Sequence, residues 1–68
     1  METRESEYVK AKILDFLSET RQVDIETIID FLDYINKVRY SEIEILKVLK
    51  DLEKEDKIIS SNSLYSLM

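Results

Sequence analysis

The chain of 68 residues contains no cysteine, histidine, glycine or proline. Without cysteine it has neither disulfide bonds nor thiolate ligands for zinc, so its stability must come from packing alone. Without glycine it has no glycine-rich phosphate loop, and without glycine and proline it has no flexible or proline-rich linker. Because acid–base and nucleophilic catalysis most often depend on histidine or cysteine, we expect no enzyme, no catalytic residue and no cofactor.

Acidic residues outnumber basic ones, with 15 Asp and Glu against 10 Lys and Arg and a net charge of −5. Affinity for nucleic acid depends largely on basic groups that displace counterions from phosphates. This balance therefore argues against tight nonspecific DNA binding, although it leaves room for a local basic patch.

The length and the hydropathy indicate one small domain. A chain of this size has room for a single core, and we assign residues 1–68 to one domain with residues 1–6 as a disordered lead-in. No apolar run approaches the roughly 20 residues that a bilayer requires. The N-terminal METRESEYVK is polar and lacks the apolar centre of a signal peptide. We therefore expect a soluble intracellular protein without a membrane partner.

Three segments repeat apolar residues every three or four positions, which is the spacing of one helical face. The first helix is predicted from about Ser6 to Glu19, the second from Ile25, and the third from Ser41 to the EKEDK segment. The predicted buried stripes are Val9, Ile13, Phe16 and Leu17 in the first helix, Ile28, Ile29, Leu32 and Ile35 in the second, and Ile45, Val48, Leu49 and Leu52 in the third.

Two details of these faces are also predicted. On the second helix, Phe31, Tyr34 and Val38 widen the apolar face and indicate contacts on two sides. On the first helix, the residues predicted to lie mostly outside the buried stripe are Lys10, Lys12, Asp15 and Glu19.

The ends of the helices carry recognisable signals. Asp24 is suited to accept the unpaired N–H groups at the start of the second helix. Ser41 and Glu44 have the spacing of a capping box at the start of the third. After the third helix the chain needs a left-handed residue, and Asp56 is predicted to take that conformation in place of glycine.

The last residues change from helical to strand periodicity. KIIS and LYSL read as two short strands, with Asn62 at a positive φ in the turn between them, and Val23 adds a short strand between the first two helices. The fold class is therefore mainly α, a winged helix with a three-helix helix-turn-helix core and a C-terminal β-hairpin wing. The alternative is a plain three-helix bundle with a frayed tail.

The outward side of the third helix is the candidate site. A rotation of about 100° per residue turns one isoleucine and three lysines away from the core stripe. The predicted partner-binding residues are Ile43, Lys47, Lys50, Lys54 and, on the wing, Asn62. In this interpretation the isoleucine is an apolar anchor and the charges around it set specificity.

A DNA-binding interpretation uses Arg39, Tyr40, Lys47 and Lys50 as contacts, with the start of the third helix as the base reader. Base readout favours Arg, Lys, Asn and Gln, whereas the first turn of this helix reads EIE, and the wing has no cation to enter a minor groove. An ordinary solvated face explains the lysines equally well. We rank protein docking first, the solvated face second and specific DNA binding third.

Two further features admit a functional interpretation. Asp30 and Asp33 form a carboxylate pair of a kind that binds divalent cations, but on an exposed helical face such a pair is more typical of solvated surface, and we expect no metal. Among the tyrosines only Tyr40, in KVRY, has cations beside it in the sequence, so stacking on single-stranded bases is a minor option.

The segment VKAKILDFLSETRQVDIETIIDFLDYINKVRYSEIEILKVLKDLEKEDKIISSNSLYSL covers nearly the whole chain. It resembles the C-terminal winged-helix domain of the eukaryotic minichromosome maintenance (MCM) replicative helicase, most closely that of the third subunit. The residues that carry the resemblance are the pair Tyr40 and Ser41, the pair Glu44 and Ile45, Leu49, the acidic helix end before Asp56, and the hydrophobic chain end. The ending SLYSLM is also similar to that of the fifth subunit.

The resemblance implies a non-catalytic part of a larger ATPase, whose motor motifs are absent from this segment. It implies a domain that docks onto the origin recognition complex and the helicase loader during replication licensing. Its partners would be loader proteins and other helicase subunits, with DNA a weak partner and the nucleus the location. The runner-up is a small winged-helix DNA-binding transcriptional regulator, which would be cytoplasmic.

Overall fold

The computed structural model describes residues 4–68, and this part of the chain forms three helices followed by a β-hairpin. The elements in chain order are α1 (Arg4–Glu19), α2 (Ile25–Asn36), α3 (Glu42–Lys54), β1 (Ile58–Ser61) and β2 (Leu64–Leu67). The predicted mainly α, winged-helix-like fold is confirmed. The frayed-tail alternative is wrong, because the last residues form a paired antiparallel hairpin.

The first helix begins earlier than the periodicity predicts. The apolar pattern indicates a start near Ser6 and a disordered lead-in over residues 1–6, whereas α1 begins at Arg4. Residues 4–6 are therefore helical, and residues 1–3 lie outside the described part of the chain. An apolar period cannot locate a first turn made only of polar residues, which is why the boundary shifts by two positions.

The hairpin turns through two residues. Ser61 pairs with Leu64 across the end of the ladder, and between them Asn62 and Ser63 have φ angles of 54° and 67°. Positive φ at both central residues is typical of a type I′ turn, whose twist matches that of the strands. The prediction for Asn62 is confirmed. The sequence gives no indication of the second left-handed residue, because serine seldom takes that conformation.

A third short segment extends the sheet on the other side of β2. The Val23 N–H donates to the Tyr65 carbonyl at 3.1 Å, and the Tyr65 N–H donates to the Val23 carbonyl at 2.7 Å. This antiparallel bridge confirms the predicted strand at Val23 as a single residue pair. It ties the connection between α1 and α2 to the hairpin.

One hydrophobic core lies between the three helices and the hairpin. Its buried side chains are Val9, Ile13, Leu17, Val23, Ile28, Ile29, Leu32, Ile45, Leu49, Leu52 and Ile58. The predicted stripes are confirmed, with Phe16, Ile35 and Val48 at their half-buried edges. Phe16 of α1 stacks on Phe31 of α2, with ring centres 4.2 Å apart and planes 13° apart.

Two predicted contacts of α2 are wrong. Tyr34 is 78% exposed and Val38 is 48% exposed, so the apolar face does not widen to include them. An apolar residue is buried only where another element covers it, and the hairpin packs mainly against α1 and α3. Of the three residues predicted to widen the face, only Phe31 packs inward.

The helices begin where the sequence signals indicate. The Thr27 N–H donates to Asp24 Oδ1 at 2.9 Å and caps α2. At α3, the Glu44 N–H donates to Ser41 Oγ at 3.2 Å, and the Ser41 N–H donates to Glu44 Oε1 at 3.1 Å. Both predicted caps, including the reciprocal capping box, are confirmed.

The end of α3 is a Schellman motif built without glycine. The Asp56 N–H donates to the Glu53 carbonyl and the Lys57 N–H to the Leu52 carbonyl, both at 3.0 Å. This pair of bonds requires a left-handed residue, and Asp56 supplies it with φ of 60°. The predicted role of Asp56 is confirmed.

The two faces of α3 predict different responses to the same substitution. Ile45 is fully buried, and Ile45→Ala should lower the free energy of unfolding by about 2–5 kcal/mol, since it leaves a cavity. Ile43 is 69% exposed on the same helix, so Ile43→Ala is the matched control and should change stability by no more than about 0.5 kcal/mol. Urea unfolding followed by circular dichroism measures both, and equal losses would contradict this assignment of faces.

Candidate interaction surface

One row of residues runs along the water-facing side of α3. It consists of Ile43, Lys47, Lys50 and Lys54, which we call the lysine stripe. All four are exposed, and their spacing of four, three and four positions keeps them on one helical face. Their predicted orientation is confirmed, whereas their role in binding stays a prediction.

Within residues 4–68, no ion pair involves Lys47, Lys50 or Lys54. Glu44, at the start of the helix, is held in the capping box. Hydrogen bonding with the Ser41 backbone and hydroxyl, followed by the charge of Lys47, lowers the pKa of Glu44. The stripe therefore presents three cations whose charges are available to a partner.

The acids at the other end of α3 are occupied by Lys10 of α1. The Lys10 ammonium donates to Glu55 Oε2 at 3.0 Å and lies 4.0 Å from Asp51 Oδ2. Lys10 is only 6% exposed, so its predicted place outside the buried stripe is wrong. Its long apolar stem covers the edge of the core while the charged end reaches α3. This contact joins α1 to the C-terminal end of α3.

Arg39, a candidate DNA contact, is engaged by α2. One of its guanidinium nitrogens donates to Asp30 Oδ1 at 2.8 Å and lies 3.6 Å from Asp33 Oδ2. The hydrogen bond to Asp30, with the charges of Asp30, Asp33 and Glu26, raises the pKa of Arg39. The carboxylate pair considered as a cation site therefore faces a guanidinium.

Tyr40, the second candidate DNA contact, is half-buried and packs against the hydrophobic core. Its ring is therefore only partly open to a base that would stack on it. Asn62 is exposed in the hairpin turn. The hairpin is linked to α3 at another point, where the Ser60 hydroxyl donates to Glu53 Oε2 at 2.8 Å. The structure thus brings four of the five predicted partner-binding residues into one row and places the fifth on the wing.

The acids of α2 add negative charge to the surface around Arg39. Glu26, Asp30 and Asp33 all act on Arg39, just before α3. In helix-turn-helix proteins the helix before the recognition helix crosses the phosphate backbone of DNA. Here that helix carries carboxylates, which repel phosphate. The combination suits a partner surface that carries both signs of charge better than it suits a polyanion.

Sequence reasoning missed two contacts between tyrosines and cations. Lys12 Nζ lies 5.5 Å from the centre of the Tyr8 ring, and Lys37 Nζ lies 5.9 Å from the centre of the Tyr34 ring. The first pair has the i, i+4 spacing that brings side chains together on a helix, so this signal was present in the sequence.

No protein-family model matches the chain, and no curated protein or solved structure resembles it at a significant level. Within residues 4–68, no helix has the length and apolar character needed to cross a membrane. No group of three metal-ligating side chains occurs in the same part of the chain.

The contact between Lys10 and Glu55 predicts a dependence of stability on pH. The hydrogen bond from Lys10, followed by the charges of Lys10 and Lys57, lowers the pKa of Glu55 below its ordinary value of 4.5. A carboxyl group whose pKa is lowered on folding contributes stability above its unfolded pKa and loses that contribution as the pH falls through the folded value. Glu55→Gln should therefore lower stability at neutral pH and make its decline in acid shallower.

Urea unfolding at a series of pH values, from neutral to about pH 3, checks this prediction. Asp15→Asn is the matched control, because Asp15 is an exposed carboxylate of α1 with no ion pair among the described residues. The control should keep the acid-dependent decline of the unaltered protein. Parallel curves for Glu55→Gln and the unaltered protein would contradict the assigned role of the pair.

Proposed function

We propose that this domain is a non-catalytic winged-helix interaction module that docks a partner protein through the lysine stripe. The observation that carries the proposal is the row on α3, in which one exposed isoleucine is followed by three lysines that form no ion pair within residues 4–68. An apolar anchor beside charged groups is the usual composition of a protein–protein contact.

Ile43 supplies the affinity in this proposal. Fully burying an isoleucine side chain contributes about 1.5–3 kcal/mol, and Ile43 is still 69% exposed in the isolated domain. Such a residue becomes a hot spot when a partner pocket covers it. The expected partner therefore has a small apolar pocket opposite the start of α3.

The charges supply orientation and selectivity. Carboxylates of the partner, opposite the middle and end of α3, would pair with Lys47, Lys50 and Lys54. Glu26 of α2, which lies outside the ion pairs of Arg39 with Asp30 and Asp33, would attract a basic group of the partner near Arg39. A partner with this order of charges is attracted at both places, whereas a surface of one sign is repelled at one of them.

The resemblance to the MCM replicative helicase would place this docking in helicase loading, with loader proteins and other helicase subunits as partners. None of the comparisons connects the chain to that family. The identity of the partner and a nuclear location stay predictions, and the proposal rests on the chemistry of α3 and α2.

Binding to duplex DNA is the second candidate function. The observation in its favour is the position of the unpaired lysines on the helix that enters the major groove in helix-turn-helix proteins. Three observations weigh against it. The acids of α2 lie beside that helix, Arg39 is paired with Asp30 and Asp33, and Tyr40 is packed against the core.

Site-specific photocrosslinking in the cell that naturally contains the protein tests the docking proposal. A photoreactive residue at position 43 should give a discrete protein adduct, because this position lies at the centre of the proposed contact. The charge reversal Lys47→Glu with Lys50→Glu should abolish the adduct, since it puts like charges opposite each other. The matched control places the same photoreactive residue at position 34, where Tyr34 is even more exposed but lies on α2.

Adducts of equal yield from positions 43 and 34 would show that exposure alone determines crosslinking and would sink the proposal. A nucleic-acid adduct from position 43 would also contradict the docking proposal and would favour binding to duplex DNA.

Titration of the domain with duplex DNA, followed by NMR shifts, separates the two candidates. We expect no saturable shifts even at low salt, because the carboxylates of α2 lie around Arg39, just before α3, and repel phosphate. A DNA-binding regulator would instead show shifts at Lys47, Lys50 and the hairpin. Its log affinity would fall against log salt with a slope of about −2 to −3 for three phosphate contacts, and Lys47→Ala would reduce that slope by about 1.

A further inference from the structure

A shallow groove of about 410 Å³ lies between α1 and α2. Its lining comes from both helices and shares no residue with the lysine stripe. The apolar part of the lining consists of Phe16, Phe31 and Ile35, and the polar part includes Asp15 and Glu19. Nothing in the proposed function uses this groove.

The aromatic lining of the groove is a stacked pair. Phe16 and Phe31 are both half-buried, with their ring centres 4.2 Å apart and their planes 13° apart. Stacking holds the two rings in fixed positions. Because an aromatic face carries negative potential, it attracts a cation placed over it.

The groove also has two carboxylates. Asp15 and Glu19 follow each other by four positions on α1, so they lie on the same side of the helix. Both are exposed, and neither carboxylate has an ion-pair partner in the described part of the chain. Two unpaired carboxylates beside aromatic rings are complementary to a cation that also has a flat face.

The other end of the groove already contains such an arrangement. Lys12 lies over the ring of Tyr8, with Nζ 5.5 Å from the ring centre. A second cation is repelled by Lys12 and is therefore directed toward the end that contains Asp15 and Glu19.

A buried amide lies behind Tyr8. The Tyr8 hydroxyl donates to Asn36 Oδ1 at 2.9 Å. The Asn36 Nδ2 is buried and has no acceptor among residues 4–68. Asn36 does not line the groove, so this amide takes no part in the site.

We propose that the groove between α1 and α2 binds an arginine side chain presented by a partner protein. A guanidinium is planar, stacks on aromatic faces and bonds carboxylates through several N–H groups, so it meets all the features of the groove at once. A lysine ammonium offers the charge without the flat face.

NMR titration of the full 68-residue chain with N-acetyl-arginine N-methylamide tests this proposal. We expect saturable shifts centred on Asp15, Phe16, Glu19 and Phe31, with a dissociation constant on the order of 1–10 mM for so small a probe. The citrulline analogue has the same shape without the charge and should bind at least about tenfold more weakly, since the attraction to both carboxylates is lost. The lysine analogue should also bind more weakly.

Asp15→Asn combined with Glu19→Gln should weaken binding of the arginine probe by about tenfold, and both changes lie on the exposed side of α1. Glu42→Gln is the matched control, because it removes an exposed acid outside the groove and should leave binding unchanged. Lys47→Ala with Lys50→Ala should also bind the probe normally, which separates this site from the proposed docking surface.

Equal binding of the arginine and citrulline probes would overturn the proposal, as would shifts that lie outside the groove. The absence of saturable shifts at about 50 mM probe, well above the expected dissociation constant, would overturn it as well. Equal weakening by Glu42→Gln and by the double variant would show that only the net charge matters and would likewise reject a defined site.

Discussion

The one-sided burial of α3 is the constraint on which the rest of the structure depends. Ile45, Leu49 and Leu52 lose essentially all contact with water, and each such side chain contributes roughly 1.5–3 kcal/mol as an upper value. Because α1, α2 and β1 all pack against α3, the helix cannot rotate without exposing this face. The same constraint turns the opposite side to water. The fold therefore positions the lysine stripe through the burial of residues that take no part in it.

Because the chain has no glycine, its sharp turns use residues that disfavour a positive φ. Lys37, Asp56, Asn62 and Ser63 all have positive φ, at a cost of about 1–2 kcal/mol for a non-glycine residue. Backbone hydrogen bonds hold them there, as at the end of α2, where the Lys37 N–H donates to the Asp33 carbonyl at 2.8 Å. Asp56 and Asn62 can be predicted from sequence, because short side chains with carbonyl groups tolerate this conformation. Lys37 and Ser63 cannot, because only their neighbours in the fold impose it.

On the surface, too, features that follow from the local sequence can be predicted, whereas features that depend on the packing of distant elements cannot. The row on α3 follows from a local period, so its direction can be predicted without knowledge of any other element. The pairing of Lys10 with Glu55 joins residues 45 positions apart and depends on how α1 crosses α3. The groove beside Phe16 and Phe31 likewise exists only because two helices lie side by side. Tyr34 shows the opposite failure, since an apolar ring in a plausible position stays exposed when no element covers it.

The net charge of −5 describes the whole chain, whereas a partner meets only the charges that are exposed and unpaired. Lys10 occupies the acids at the end of α3, and Arg39 occupies two acids of α2. On α3 and α2 this leaves the basic row and one acid of α2, Glu26, outside the ion pairs of the described residues, although the bulk composition indicates an acidic surface. Exposed ion pairs contribute little affinity, because desolvation and side-chain ordering offset most of their attraction. The arrangement of these charges nevertheless discriminates between partners. A partner surface of a single charge sign is repelled either by the lysines of α3 or by the acid of α2. In the proposed docking, the charges of this domain therefore select the partner, and the burial of Ile43 supplies most of the affinity.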